Sequence, residues 1–252
     1  MVNDKFEKVA DDYSKMFYYS PYYMLLAELL EKYLDNACNV FEIGIADGIV
    51  PMAWERVRQE SGNKSPLTYF GIDPVERMVE IARERAGTMN INFIPSVGKI
   101  DGTIQISQDT ALDGLIISRV LHEIFIQHNL DHEKLFFDIK RILDRKHPKI
   151  VVLGIVNRFI GLTKDETERF ISEQTKEIGH GHDPAKEYVD QTLLDEFMIK
   201  NQYKIVDQKR LVNCSTVLIH RRGERQLLFM SCLINQMCFY KSSDINIFVK
   251  LS

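Results

Sequence analysis

The sequence lacks three features that mark common classes of protein: surplus basic charge, a long apolar run and closely spaced cysteines. Its 32 Lys and Arg residues are outnumbered by 36 Asp and Glu residues, for a net charge of -4. No electrostatic footprint for nucleic acid is therefore indicated. No apolar stretch reaches the ~18 residues of a membrane-spanning helix. The four cysteines are scattered and form no C-x-x-C pair, which favours reduced thiols in a cytoplasmic protein.

The first residues also lack the apolar core of a secretory signal. Residues 1–5 include Asp4 and Lys5, and no apolar run follows them. Secretion is therefore not expected, and the protein is expected to be cytoplasmic. A chain of 252 residues can bury the core of one domain with appendages.

Apolar runs of strand length alternate with segments of helical periodicity along most of the chain. The predicted strands are 40–43, 67–72, 91–94, 112–118, 150–156, 203–210 and 215–221. The predicted helices are 24–34, 51–60, 75–86, 134–143, 164–178 and 192–201. This order predicts an α/β fold with a mostly parallel sheet covered by helices, in which the last two strands form an antiparallel hairpin.

The most informative stretch surrounds Gly44, where an apolar run ends in a carboxylate and a turn of small residues precedes a predicted helix. Parallel-sheet proteins bind nucleoside cofactors at such a turn. The dinucleotide pattern G-x-G-x-x-G is not kept, because Ala46 replaces the second glycine and bulky Ile49 the third small residue. The pattern that is kept is acid-x-G-x-A-x-G, from Glu42 to Gly48.

This pattern resembles the first motif of the class I S-adenosylmethionine-dependent methyltransferases, and the resemblance covers roughly residues 13–222. It implies a seven-stranded sheet with helices on both faces, and S-adenosylmethionine as the cofactor. By this resemblance Glu42 holds the amino group of the cofactor, while Gly44, Ala46 and Gly48 let the backbone approach it. An ordinary tight turn between strand and helix is the alternative.

The second predicted strand ends in Asp73 followed by Pro74. A carboxylate there can accept hydrogen bonds from both hydroxyls of a ribose, and the resemblance implies that role for Asp73. Asp before Pro is also typical of a helix start, and the two roles are compatible. The third strand departs from the family, which often has Gly-Asp after it. Ser96 or a backbone carbonyl is the candidate for adenine recognition instead.

The segment after the fourth strand resembles the family segment that faces the transferring methyl group. Ser118 and Arg119 are expected on the cofactor side, and His122 and Glu123 near the acceptor. His122 is the candidate general base, because imidazole titrates near neutral pH. A structural histidine at the start of a helix is an equally open interpretation.

Two further segments are candidates for the acceptor side. Tyr13 and Tyr18 belong to an aromatic cluster in a predicted N-terminal helical lid, residues 1–36, although simple packing would also explain these rings. His180 and His182 lie close together in a polar loop. These two histidines and Asp183 could ligate a divalent ion, but the spacing is weak evidence, and no metal is predicted.

The sequence therefore predicts a methyltransferase that acts on a small molecule by direct in-line displacement. The predicted core spans 37–222. The segment 223–252 has no predicted role beyond adding a strand, covering the face of a possible homodimer or forming a tail. A non-catalytic, cofactor-binding partner subunit and a NAD(P)-dependent oxidoreductase are the alternatives.

Overall fold

The computed structural model describes most of the chain. Described are residues 7, 10, 11, 21–100, 106, 107, 110–160, 172, 189–214, 219–221, 224–226 and 240–251. For 156–160, 210–214, 219–221, 224–226 and 240–244 the description is limited to the backbone. Tyr13, Tyr18, His180, His182 and the predicted helix 164–178 lie outside the described residues.

Helices and strands alternate through the described part as the sequence predicts. The helices are α1 (Pro21–Leu34), α2 (Ile49–Ser61), α3 (Glu76–Ala86), α4 (Leu121–Gln127), α5 (His132–Lys146) and α6 (Gln191–Lys200). The strands are β1 (Asn39–Ile43), β2 (Thr68–Asp73), β3 (Asn92–Val97), β4 (Gly114–Ser118), β5 (Ile150–Ile160), β6 (Tyr203–Cys214), β7 (Ile219–Arg221), β8 (Glu224–Gln226) and β9 (Tyr240–Lys250). The short helix α4 is not among the predicted helices, although a helix start is one of the two interpretations of His122.

Seven strands form one sheet in the order β3-β2-β1-β4-β5-β9-β6. The strands from β3 to β5 are parallel, and β9 is antiparallel to both of its neighbours. Side chains of a strand alternate between faces. Val40 accordingly packs with α1 and α2, and Phe41 and Ile43 pack with α4, α5 and α6. The predicted mostly parallel, seven-stranded sheet with helices on both faces is confirmed.

The predicted hairpin between 203–210 and 215–221 is wrong, although the antiparallel end of the sheet is confirmed. Strand β6 pairs with β9, and β7 pairs with β8 in a separate two-stranded sheet. The reason is the apolar pattern of β9, whose Ile245, Ile247 and Phe248 are fully buried. Such a strand gains most between two neighbours. The seventh strand thus comes from the segment that the sequence analysis assigned to an extension.

Helix α1 is a core element. It begins at Pro21, three residues before its predicted start. Its Tyr22, Leu26 and Leu30 are fully buried. Leu34 lies against β4, where a Cβ added to Gly114 would be 2.8 Å from its Cδ1. The described part of the predicted lid therefore packs on the sheet. None of the described helices combines the length and the apolarity needed to cross a bilayer.

Candidate cofactor site

The turn between β1 and α2 has the backbone conformation for which small residues are needed. Gly44, Ala46 and Gly48 have φ angles of 77°, 46° and 79°, in the left-handed region that side chains with a Cβ rarely adopt. The amides of Gly44 and Ile45 donate to the carbonyl of Ile72, at 2.8 and 3.1 Å. The turn is thus joined to the end of β2.

The same turn is packed closely against its neighbours. A Cβ added to Gly44 would lie 2.7 Å from the Cβ and Cγ2 of Val120. One added to Gly48 would lie 2.9 Å from the ring of Phe93. Real Cβ atoms do not approach so closely, so the two glycines are needed for space as well as for conformation.

Glu42, at the end of β1, is a carboxylate with no exposed surface. The hydroxyl of Tyr69 donates to its Oε2 at 2.7 Å. Its Oε1 is buried and has no hydrogen-bond partner among the residues that the structure describes. Burial, reinforced by the nearby charges of Asp73 and Asp47, raises the pKa of Glu42 to about 8, although the bond from Tyr69 opposes the rise. Burial therefore disfavours the charged form of this acid, and a cation beside Oε1 would favour it again.

Asp73, at the end of β2, is held by two backbone amides. Its Oδ2 accepts from Ala46 and its Oδ1 from Val75, both at 2.9 Å. Burial raises its pKa to about 6 against the effect of these bonds. The helix α3 begins at Glu76 with Val75 as its N-cap and no side-chain cap bond, so the bond from Val75 to Asp73 lies ahead of the helix and Asp73 is not its N-cap. Because a carboxylate oxygen has two lone pairs, each oxygen of Asp73 can still accept a hydroxyl.

A third buried carboxylate, Asp47, was missed by sequence reasoning. Its Oδ2 lies 2.6 Å from Nη1 of Arg85, which also donates to the Asp47 carbonyl at 2.9 Å. Arg85 is at the end of α3, so their spacing in the sequence carries no signal for the pair. Glu42, Asp47 and Asp73 thus bring three buried acids to one turn, and a cationic ligand would favour their charged forms.

The end of β4 adjoins β1 and is covered by α1. The hydroxyls of Tyr22 and Ser118 lie 3.0 Å apart, and the guanidinium of Arg119 lies 5.1 Å from the centre of the Tyr22 ring. Burial raises the pKa of Tyr22. Ser118 and Arg119 thus both lie beside Tyr22 at the end of β4, and their place on the cofactor side stays a prediction. The ring that accompanies them is Tyr22, which the sequence reasoning had not distinguished from its aromatic neighbours.

The remaining candidates lie around this edge of the sheet. His122 and Glu123 are both buried in the first turn of α4, with His122 Nε2 and Glu123 Oε1 3.5 Å apart. Pro74 is half-buried after β2. Ser96 lies within β3, opposite Ile72, and not after the strand as the family pattern has its acid. Among the described residues, no group of three His, Cys, Asp or Glu side chains could hold a metal ion.

Comparison with known proteins identifies the fold. No family model and no curated protein matches the sequence. Solved structures do match, among them a possible histamine N-methyltransferase from Thermotoga maritima, described as S-adenosylmethionine-dependent. It is 17% identical with a TM-score of 0.51, and the alignment covers 98% of this chain and 99% of that one.

Two further structures agree. The CcbJ methyltransferase from Streptomyces caelestis is 12% identical with a TM-score of 0.54, over 92% of this chain and 96% of that one. The magnesium protoporphyrin IX methyltransferase of Synechocystis PCC 6803 was solved with bound S-adenosylmethionine. It is 11% identical with a TM-score of 0.51, and the alignment covers 99% of this chain and 82% of that one. The chain therefore has the fold of the class I S-adenosylmethionine-dependent methyltransferases, as the motif around Gly44 predicts.

Proposed function

We propose that this protein binds S-adenosylmethionine and transfers its methyl group to a small-molecule acceptor. The observation that carries the proposal is the pair of buried carboxylates, Glu42 and Asp73, at neighbouring strand ends around a left-handed turn. Glu42 has an oxygen, Oε1, that is not hydrogen-bonded to any described residue. An ammonium group would satisfy it, and the two hydroxyls of a ribose would suit Asp73.

The charge of the site supports this cofactor over a nicotinamide dinucleotide. S-adenosylmethionine carries an ammonium and a sulfonium, both attracted by Glu42, Asp47 and Asp73. A dinucleotide would bring its diphosphate to the same turn, where these buried acids repel it once they are ionised. The bulky Ile49, buried at the start of α2, also stands where dinucleotide folds have a small residue.

In the proposed complex, Glu42 holds the amino group and Asp73 the ribose, while Pro74 and Ser96 border the adenine. Ser118 and Arg119 line the cofactor from the end of β4. The bound cofactor supplies a methyl group on a sulfonium that is already a good leaving group. The protein therefore has to align the acceptor and exclude water, and needs little further chemistry.

On the acceptor side, His122 is the proposed general base for an oxygen or carbon acceptor, with Glu123 beside it. An amine could react in its neutral form without this base. Tyr13, Tyr18, His180 and His182 stay candidates for the acceptor side. A cytoplasmic location, a homodimer and the absence of a nucleic-acid partner stay predictions from the sequence.

The test is ligand-induced stabilisation, measured as a thermal shift with S-adenosylmethionine, S-adenosylhomocysteine, NAD and NADP. A ligand at about 100 times its dissociation constant stabilises by ~2.7 kcal/mol, or roughly 5–10 °C for a protein of this size. The two sulfur compounds should give this shift and the dinucleotides none. A shift with the dinucleotides alone, or with none of the four, would contradict the proposal.

Matched variants assign the shift to the site. Asp73→Ala should lose it. Asp113→Ala is the control, because Asp113 likewise accepts two backbone amides, from Cys38 and Asn39. It should keep the thermal shift, since Asp113 precedes β4 and so lies at the opposite end of the strands. Methyl transfer to candidate metabolites then separates an enzyme from a non-catalytic subunit. His122→Ala should keep the thermal shift and lower turnover.

A further inference from the structure

Tyr69 is a buried residue of β2 whose partner no local sequence pattern indicates. It lies on β2 directly opposite Val40, and therefore on the face of the sheet to which Glu42, two residues along β1, also points. Both side chains have no exposed surface. The distance of 2.7 Å between the Tyr69 hydroxyl and Glu42 Oε2 is that of a short hydrogen bond to a carboxylate.

The ring of Tyr69 is held from two sides. Trp54 lies edge-on, with ring centres 6.1 Å apart and planes at 69°. Phe93 lies edge-on as well, at 5.7 Å and 84°. Trp54 is in turn fixed by a bond from its indole nitrogen to Glu31, at 2.9 Å. Rings packed in this way have a defined orientation, so the position of the Tyr69 hydroxyl is set by the core.

A carboxylate on a flexible side chain could turn either oxygen toward a ligand. Here the hydroxyl of Tyr69 occupies Oε2, and Oε1 is the oxygen without a partner among the described residues. Orientation matters because a charged hydrogen bond is strong only with good geometry. A rigid donor behind Glu42 therefore prepares one oxygen for an incoming cation.

We propose that Tyr69 is the positioning residue for recognition of the cofactor's amino group: its hydroxyl holds Glu42 so that Oε1 faces the ammonium. The inference rests on the proposed function and deepens it. Tyr69 itself does not contact the ligand and acts through Glu42. Loss of the Tyr69 hydroxyl should therefore weaken the binding of ligands that carry an ammonium group and leave the binding of other ligands unchanged.

The test is calorimetric titration of Tyr69→Phe with two ligands. S-adenosylhomocysteine has the ammonium, and 5′-methylthioadenosine has the same nucleoside and sulfur without the amino-acid part. We expect about tenfold weaker binding of S-adenosylhomocysteine, the usual effect of losing a hydrogen bond to a charged group. Binding of 5′-methylthioadenosine should be unchanged.

Tyr203→Phe is the matched control. It also removes a buried hydroxyl with one bond, to the carbonyl of Pro148 at 2.7 Å, at the opposite edge of the sheet. It should leave both affinities unchanged. In the Glu42→Gln variant, adding Tyr69→Phe should not weaken the binding of S-adenosylhomocysteine any further, because the two residues act as one unit.

Equal weakening of both ligands by Tyr69→Phe, or no weakening of S-adenosylhomocysteine, would overturn the inference. Failure of the unmodified protein to bind S-adenosylhomocysteine would instead contradict the proposed function. Should Tyr69→Phe not fold, 3-fluorotyrosine at position 69 tests the same bond with the hydroxyl retained. The stronger donor should then tighten S-adenosylhomocysteine alone, and an unchanged ratio of the two affinities would refute the role of Tyr69.

Discussion

Replacing Gly44 by alanine tests how tightly the turn after β1 is packed. The residue has φ +77°, and an added Cβ would lie 2.7 Å from the Cβ and Cγ2 of Val120 and 2.9 Å from its Cγ1. The left-handed conformation costs an alanine ~1 kcal/mol. Forcing an atom into a filled core typically costs ~1–3 kcal/mol more. We therefore expect Gly44→Ala to lower the free energy of unfolding by about 2–4 kcal/mol, a large part of the stability of a typical domain.

Gly62 provides the matched control for this variant. It ends α2 with nearly the same φ, +76°, but a Cβ there would meet no atom of the described residues within 4 Å. Gly62→Ala should therefore lose only the conformational part, ~1 kcal/mol. Urea unfolding followed by circular dichroism measures both losses, as shifts of the midpoint at constant slope. Equal losses in the two variants would refute the reasoning, because Val120 would then not fill the space over Gly44.

Two further predictions concern the buried charges of the site. The folded pKa values of Glu42 and Asp73, about 8 and about 6, lie above their ordinary values, so the folded protein keeps protons that the unfolded chain releases, and stability falls as pH rises. Between pH 6 and 8 the free energy of unfolding, measured with urea, should fall by on the order of 2 kcal/mol. Most of this fall is assigned to Glu42, so an equal fall in the Glu42→Gln variant would contradict that assignment. Arg85→Ala should cost ~3 kcal/mol, because it leaves Asp47 buried without this partner. The exposed Arg83→Ala should cost less than ~0.5 kcal/mol, and equal losses by thermal unfolding would count against the pair.

The parts of the site that could be predicted from the sequence are those in which neighbouring residues act together. The turn from Glu42 to Gly48 is one such part, because glycine and alanine at set intervals allow a backbone that other residues resist. Asp73 is another, because an acid at the end of an apolar run stays at the carboxyl edge of a parallel sheet. Strand order did not have to be known for either.

The parts that could not be predicted join residues far apart in the chain. Tyr69 and Glu42 are separated by 27 residues in the sequence. The separation is 38 residues for Arg85 and Asp47, and 96 residues for Tyr22 and Ser118. Each contact depends on strand order, register or the angle of a packed helix. A tyrosine in a strand or an arginine at a helix end carries no local signal of its partner.

The sequence by itself thus determined the class of fold, the cradle after β1 and the acid after β2, since these follow from periodicity and backbone sterics within a few residues. Tertiary structure decided which strand completes the sheet and which partners surround each buried carboxylate. The wrong hairpin shows the difference. Residues 215–221 and β9 both have strand-like apolar patterns, and local propensity could not choose between them. Burial of Ile245, Ile247 and Phe248 between β5 and β6 stabilises β9 in this position, but only once the sheet has formed.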